Sequence, residues 1–182
     1  MALLKIYEAT APVLRRKTKP LRRIDPAIRK LAADMLETMH DAPGVGLAAP
    51  QVGRSERLIV VGFEDEEYVL ANPEITWRSD ETVAGEEGCL SVPNFVGDVE
   101  RAAAVRVVAL DLSNKRVTVE AKDWLARIFQ HEIDHLDGVL FTDRMAPGAQ
   151  LRPTNKSGED VVRTSVVARP APTAGQPASQ AG

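Results

Sequence analysis

The sequence predicts an α+β domain. Helical spacing appears twice, near residues 25–40 and 123–136, and the strand signals are grouped between those segments instead of alternating with helices. Apolar residues make up 44% of the chain, enough to bury a core. The first helix starts at Asp25, a good N-cap, followed by Pro26 at the first helical position. Ile28, Leu31, Met35 and Met39 follow helical spacing and form its buried stripe, so these methionines read as core. Pro43-Gly44 ends it. Short strands are expected at Arg57–Phe63, Tyr68–Ala71, Ile75–Arg78, Val105–Leu112 and Arg116–Ala121, the last two joined as a hairpin through Ser113-Asn114-Lys115. The second helix runs from about Asp123 to Leu136, with Gly138 just past its end.

Charge and composition narrow the function. The 182 residues carry 23 Lys+Arg against 26 Asp+Glu, a net charge of −3. A general nucleic-acid binder would carry a basic excess, so none is expected. The first residues include Lys5 and Glu8 and no apolar signal core follows; no apolar run reaches the length of a membrane span. A single cysteine, Cys89, excludes an internal disulfide framework and fits the reducing cytoplasm. Composition shifts near Met145. Residues 168–182 hold five Ala, three Pro and two Gly and no large apolar side chain, too little to offset the entropy of ordering. The expected organisation is one folded domain over 1–146 and a flexible Pro/Ala-rich tail over 147–182, in which Val161-Val162 and Val166-Val167 could dock or pair.

The second helix carries the chemistry. Residues 131–135 read His-Glu-Ile-Asp-His. Positions four apart share one helical face, so His131 and His135 can hold one metal ion, while Glu132, about 100° round, can reach a water beside it. A surface helix with two solvated histidines would have the same spacing. A catalytic site keeps three protein ligands and an open position. A third histidine in the zinc-peptidase pattern would fall on Phe141, and the only downstream glutamate, Glu159, lies in the expected tail. Cys89 is the best soft ligand upstream, in a segment where Gly85 and Gly88 are expected to make a tight loop. His40, the remaining histidine, reads as a helix-terminal residue. A third segment, Gly44-Val45-Gly46-Leu47-Ala48-Ala49-Pro50-Gln51, lets backbone or ligand come close and ends on an amide donor. It lacks the features of a phosphate loop or a dinucleotide fingerprint.

Together these segments resemble the three motifs of the peptide deformylase family: Gly44–Gln51, Glu87-Gly88-Cys89-Leu90-Ser91 and Gln130–His135, in family order. The similarity extends over about residues 3–145 and includes Asn72-Pro73, Arg101 and Leu136-Asp137-Gly138; the short link between the first two motifs looks like the compact bacterial form. The resemblance implies antiparallel β-sheets packed around a central helix bearing the two histidines. It implies Fe2+ held by Cys89, His131 and His135, with Zn2+, Ni2+ or Co2+ as substitutes, and removal of the formyl group from the N-terminal methionine of nascent polypeptides. By similarity Gln51 and the Leu90 N–H hold the formyl oxygen and Glu132 moves the proton. Val45, Gly46, Gly88, Trp124, Arg127 and Ile128 neighbour the bound methionine by family position. For Trp124 and Ile128 core packing is the other reading, and Arg127 is expected to offer its stem while its head stays wet. A monomeric, cytoplasmic enzyme near the ribosome is implied, without direct nucleic-acid or membrane binding.

The residue chemistry agrees with that reading. A formamide is unreactive, so hydrolysis at neutral pH needs a strong nucleophile, which a metal supplies by lowering the pKa of its water. Cysteine oxidation would inactivate such a site. Two departures stand out. Many bacterial members carry Gly-x-Arg after the Pro that follows the second motif; here the segment is Pro93-Asn94-Phe95-Val96, without the arginine that could grip substrate backbone. A Pro/Ala-rich end also stands where compact bacterial forms often have a ribosome-docking helix. The rival readings are another metallo-amidase or peptidase, and a non-catalytic deformylase-like protein that merely binds metal. Intact Glu132 and Gln51 argue against the second, because a structural site needs neither.

Overall fold

The structure, a computed structural model, describes residues 2–154. In chain order its main elements are α1 (Pro26–Asp41), β1 (Gly46–Ala48), β2 (Leu58–Phe63), β3 (Glu66–Arg78), β4 (Thr82–Cys89), β5 (Val92–Ala102), β6 (Ala104–Leu110), β7 (Arg116–Lys122), α2 (Asp123–Leu136) and β8 (Arg152–Pro153). Among the described residues the strands form a five-stranded sheet, β1-β2-β3-β6-β7, and a three-stranded one, β4-β5-β8. Every pairing within them is antiparallel. This is the expected α+β class, with α2 at the centre.

Side-chain alternation along β2 explains the layering. Ile59 and Val61 join α2's Ile128, Phe129, Ile133 and Leu136 in one apolar cluster. Leu58 and Val60 point the other way and join α1's Ile28, Leu31, Met35 and Met39 in a second. A strand buried on both faces reads as a continuous apolar run, as Leu-Ile-Val-Val does here. The layers are therefore α1, the five-stranded sheet, α2 and the three-stranded sheet. The last of these meets α2's polar side.

The helix boundaries follow the sequence signals. The Asp25 carboxylate accepts the Ile28 N–H at 3.0 Å and caps α1. α2 has no side-chain cap; Asp123 turns through φ 50, and its N–H donates to the Ala103 carbonyl at 2.8 Å. Gly138 closes α2 with φ 77, and a Cβ there would lie 2.9 Å from the Arg15 carbonyl carbon. The 113–115 hairpin turn is present, with Asn114 at φ 63. Its side chain bonds both the N–H and the carbonyl of Ile24, tying the turn to the entry of α1.

Three expectations change. The strands expected at 68–71 and 75–78 are one strand, β3, interrupted by register shifts between Ala71 and Trp77. Asn72 sits there at φ 51 and its amide brackets Leu21, which absorbs the break that Asn72-Pro73 introduces. Cys89 ends a strand, β4, and is not on a loop; Gly85 and Gly88 belong to that strand. The ordered unit also runs past residue 146. Arg152–Pro153 pairs with Phe95 and Val96 of β5, and the Thr154 N–H donates to the Asn94 carbonyl. The remainder of the expected tail, including the two valine pairs, lies outside the described residues.

Candidate active site

Cys89 leaves the end of β4 facing α2, where His131 and His135 stand one turn apart. The donor atoms of all three lie within 4.8 Å of one another. The Cys89 Sγ is 3.2 Å from the His135 Nε2, and the imidazole centroids are 5.0 Å apart. All three side chains are buried. The His131 Nδ1 lies 2.9 Å from the Glu87 Oε2. A carboxylate only accepts, so this contact puts the proton on Nδ1 and leaves the Nε2 lone pair free. That Nε2 is buried without a hydrogen-bond partner, as are both oxygens of Glu132. An unpartnered buried polar atom is costly, and the three converging donors, one thiol and two imidazoles, with an unpartnered carboxylate on the same helix, fit a divalent transition metal and its water. Burial pushes the Cys89 thiol up to about 12, with the nearby Glu132 adding to the effect and the Ser91 N–H opposing it. A coordinated thiol is deprotonated by the metal outright.

Glu132 has no exposed surface. Burial, and then the negative charge of Glu87, raise its pKa well above the carboxylate range. Across from it is Gly46 on β1; a Cβ there would come within 2.8 Å of the Glu132 carboxyl carbon. Gln51 sits in the short 3-10 turn Ala49–Val52 that follows β1. Its Oε1 accepts the Ala48 N–H at 2.8 Å, which fixes the amide orientation. The Nε2 is thereby aimed at the site, 3.5 Å from the Cys89 Sγ and 3.3 Å from the Ser91 Oγ. Leu90 lies in the turn between β4 and β5, and its N–H makes no hydrogen bond to the described residues outside that ladder.

Glu87, which the sequence analysis quotes in the second motif without a role, is joined to the site by the structure. Two residues before Cys89 on β4, it shares Cys89's face of the strand. It accepts from Arg101 through Nε at 2.9 Å and Nη2 at 3.0 Å, from the Arg127 Nη1 at 2.8 Å, and from His131. Burial opposes its ionisation, but the His131 and Arg101 contacts outweigh that and hold its pKa far below the usual range. Arg101 spans to the helix motif as well, donating from Nη1 to the Asp134 Oδ2 at 2.5 Å. β4's inward face is thus Gly85, Glu87 and Cys89, period two along the strand.

The expected neighbours of the methionine divide. Arg127 is corrected: its head is not wet. The side chain is buried, with Nη1 also donating to the Val99 carbonyl at 2.8 Å and Nη2 to the Val83 carbonyl at 2.6 Å. Gly85 makes room for it, since a Cβ would stand 3.0 Å from Nη2. Ile128 is fully buried within the apolar cluster, while Val45 and Trp124 are half-buried at its border. Gly88 is buried beside Cys89. Phe141, where the peptidase pattern would need a histidine, stacks on His131 at 6.2 Å between centroids. His40 lies outside the site, 3.2 Å from Glu67. Val96 is buried in β5 between Gly88 and Arg152.

Comparison with known proteins bears on this geometry. The family model described as polypeptide deformylase matches residues 3–150. A peptide deformylase of Symbiobacterium thermophilum is 55% identical over 163 residues, covering 88% of this chain and 73% of that protein. The crystal structure of peptide deformylase from Thermotoga maritima superposes with a TM-score of 0.79 at 40% identity, covering 81% of this chain and 100% of that one. A peptide deformylase from Synechococcus elongatus in complex with actinonin gives a TM-score of 0.77 at 43% identity, over 79% of each chain.

Proposed function

The chain belongs to the polypeptide deformylase family, and on that premise we propose a residue-level account of how it removes formyl groups from the N-terminal formyl-methionine of nascent polypeptides. The observation that carries it is the buried set of Cys89, His131 and His135 beside an unpartnered Glu132. We assign the ligand role to the first three and take Fe2+ as the resident ion, with Zn2+, Ni2+ and Co2+ as workable substitutes for this donor set. Bound there, the ion supplies Lewis acidity and a nucleophile from water at neutral pH.

The chain's own groups do the rest. β1 and β4 are each the first strand of their sheets, and both border the site. An extended peptide can lie between these edges through main-chain hydrogen bonds, as strand-adding ligands do. Gly46 and Gly88 present their main-chain groups to it, and Val45 and Trp124 offer apolar surface to the methionine side chain. Attack on the formyl carbon puts negative charge on its oxygen. The Gln51 Nε2 and the Leu90 N–H receive that charge, each worth about 2.7–4 kcal/mol by analogy with other oxyanion donors. Glu132, with its raised proton affinity, takes the proton from the attacking water and passes it to the departing amine, yielding formate and a free N-terminus. Glu87 holds His131 in the tautomer that presents Nε2. We place the work in the cytoplasm, near the ribosome and by a monomer. No helix among the described residues is long and apolar enough to cross a membrane.

Formate release from a formyl-methionyl tripeptide tests the reading, measured anaerobically on Fe2+-loaded protein. Rapid release is expected, and Glu132→Gln is expected to lower it by about 10²–10⁴-fold while binding metal normally. No release from folded, metal-loaded protein would overturn the reading. Hydrolysis of an otherwise blocked peptide in that case would favour the broader amidase alternative.

A further inference from the structure

Before α1 begins, the N-terminal segment touches two of the motif segments and the end of the helix that bears the third. The Tyr7 N–H donates to the Gln51 carbonyl at 2.8 Å, and the Ala9 N–H donates to the Ser91 carbonyl at 2.8 Å. Farther on, the Thr18 N–H and hydroxyl both donate to the carbonyl of Leu136, the last residue of α2, at 2.8 and 2.9 Å. Glycines accompany two of these crossings. Gly53, at φ 79 behind the Gln51 turn, has the Tyr7 ring 2.7 Å from where a Cβ would stand. Gly138, past α2, has the Arg15 backbone in the same relation.

The first two bonds join segments that are otherwise loosely connected. Gln51 is in the turn after β1, at the edge of the five-stranded sheet; Leu90 and Ser91 end the β4 side of the other sheet. Among the described residues no backbone hydrogen bond joins these two segments directly. Their direct links run from the Gln51 Nε2, at 3.3 Å to the Ser91 hydroxyl and 3.5 Å to the Cys89 sulfur. The Ser91 contact is longer than the 2.8 Å bonds through the N-terminal segment, and catalysis would divert that same Nε2 to the formyl oxygen. The spacing of the two oxyanion donors therefore depends on something other than Gln51's side chain.

We infer that Tyr7–Ala9 position the two oxyanion donors, fixing the Gln51 backbone relative to the Leu90-Ser91 backbone across the seam between the sheets. The donors' role rests on the deformylase reading; the bridging geometry does not. Tyr7 and Ala9 are positioning residues, since neither touches the reacting atoms. Donors preset at the right separation stabilise charge without reorganisation, and a shift of an ångström in such a pair costs rate while leaving ground-state binding nearly intact.

Two variants test this in the full-length, metal-loaded protein. Ala9→Pro deletes the N–H that holds Ser91, and Tyr7→Ala removes the ring that packs on Gly53. In each, kcat is expected to fall about tenfold to a hundredfold, with KM and bound metal within about twofold of wild type. Amide hydrogen exchange is expected to quicken in residues 49–53 and 89–91. Tyr7→Phe should restore kcat relative to Tyr7→Ala, because it keeps the ring that packs on Gly53. An unchanged kcat per folded, metal-loaded molecule in both alanine and proline variants would overturn the inference and leave the segment as a staple of the fold alone. If Ala9→Pro does not fold, the Tyr7 pair decides. If wild-type protein itself releases no formate, the deformylase reading fails first. Hydrogen exchange then decides the bridging role: faster exchange at 89–91 supports it and unchanged exchange overturns it.

Discussion

Gly46 has no side chain where the Glu132 carboxylate stands, and that close approach makes a sharp test of the proton carrier's placement. In Gly46→Ala the new Cβ overlaps the carboxyl group, whose carbon would be 2.8 Å away. Backbone strain does not enter, because Gly46 is not among the positive-φ glycines. The carboxylate must move, so kcat should drop about tenfold to a hundredfold, with metal content and cooperative melting preserved. An unchanged kcat would mean that Glu132 works from another position. At this scale the sequence reading finds the residues with unusual chemistry for their spacing: His131, Glu132, His135 and Cys89. It gives Glu87 no role and misjudges Arg127. Both have ordinary side chains whose meaning comes from burial, and burial depends on strand pairing. Had Thr82–Cys89 been recognised as a strand, period-two alternation would have put Glu87 on the same face as Cys89.

Elements were legible where their patterns serve packing. α2 matches its expected bounds because an apolar stripe and a polar motif alternate around it with helical period. β4 and β5 were not legible for the opposite reason. β4 reads Thr-Val-Ala-Gly-Glu-Glu-Gly-Cys, and its inward face presents a glycine, a buried carboxylate and a thiol where core strands present valine and isoleucine. The same sheet ends in β8, which composition assigned to the tail. Arg152 clasps it, with Nη1 and Nη2 on Asp98 of β5 at 2.7 and 2.9 Å and Nη2 on Glu86 of β4 at 3.0 Å. These groups are solvent-exposed, so Arg152→Ala should cost no more than about 1 kcal/mol. The Arg152 hydrogen bond holds the Asp98 carboxyl below its ordinary 3.8, with slight burial opposing. A carboxylate with a depressed folded pKa contributes its stability above the unfolded value and loses it as pH falls through the folded one. The stability gap between wild type and Arg152→Ala, followed by urea denaturation, should therefore be full at pH 7 and close below about pH 3.8, shrinking also with added salt. A gap that persists in acid would mean that β8 is held by packing instead.

At the scale of the whole molecule, the site lies along a seam. α2 turns its apolar side to the five-stranded sheet and its histidines to the three-stranded one, so each sheet contributes one wall and neither alone makes a site. The apolar side is extensive: Ile128, Phe129 and Leu136 are fully buried with Ile59, Val61, Val105 and Val107. The polar side is held independently of any ion, by Glu87 with its two arginines and by Arg101's reach to Asp134. A small domain whose metal is structural unfolds when the metal leaves, because the ion's binding free energy is its folding free energy. Here the core and the buried ion pairs supply cohesion of their own. Chelation should abolish formate release yet leave the far-ultraviolet circular dichroism at 25 °C unchanged. The metal-free protein should still melt cooperatively, at a lower temperature, since an ion that binds only the folded state adds to stability by mass action. Adding Fe2+ back without oxygen should restore activity, and Zn2+ should restore the melting temperature even where it restores less turnover. Loss of the circular dichroism on chelation would instead assign the ion a structural role, and Cys89, His131 and His135 would then count among the fold's own fastenings.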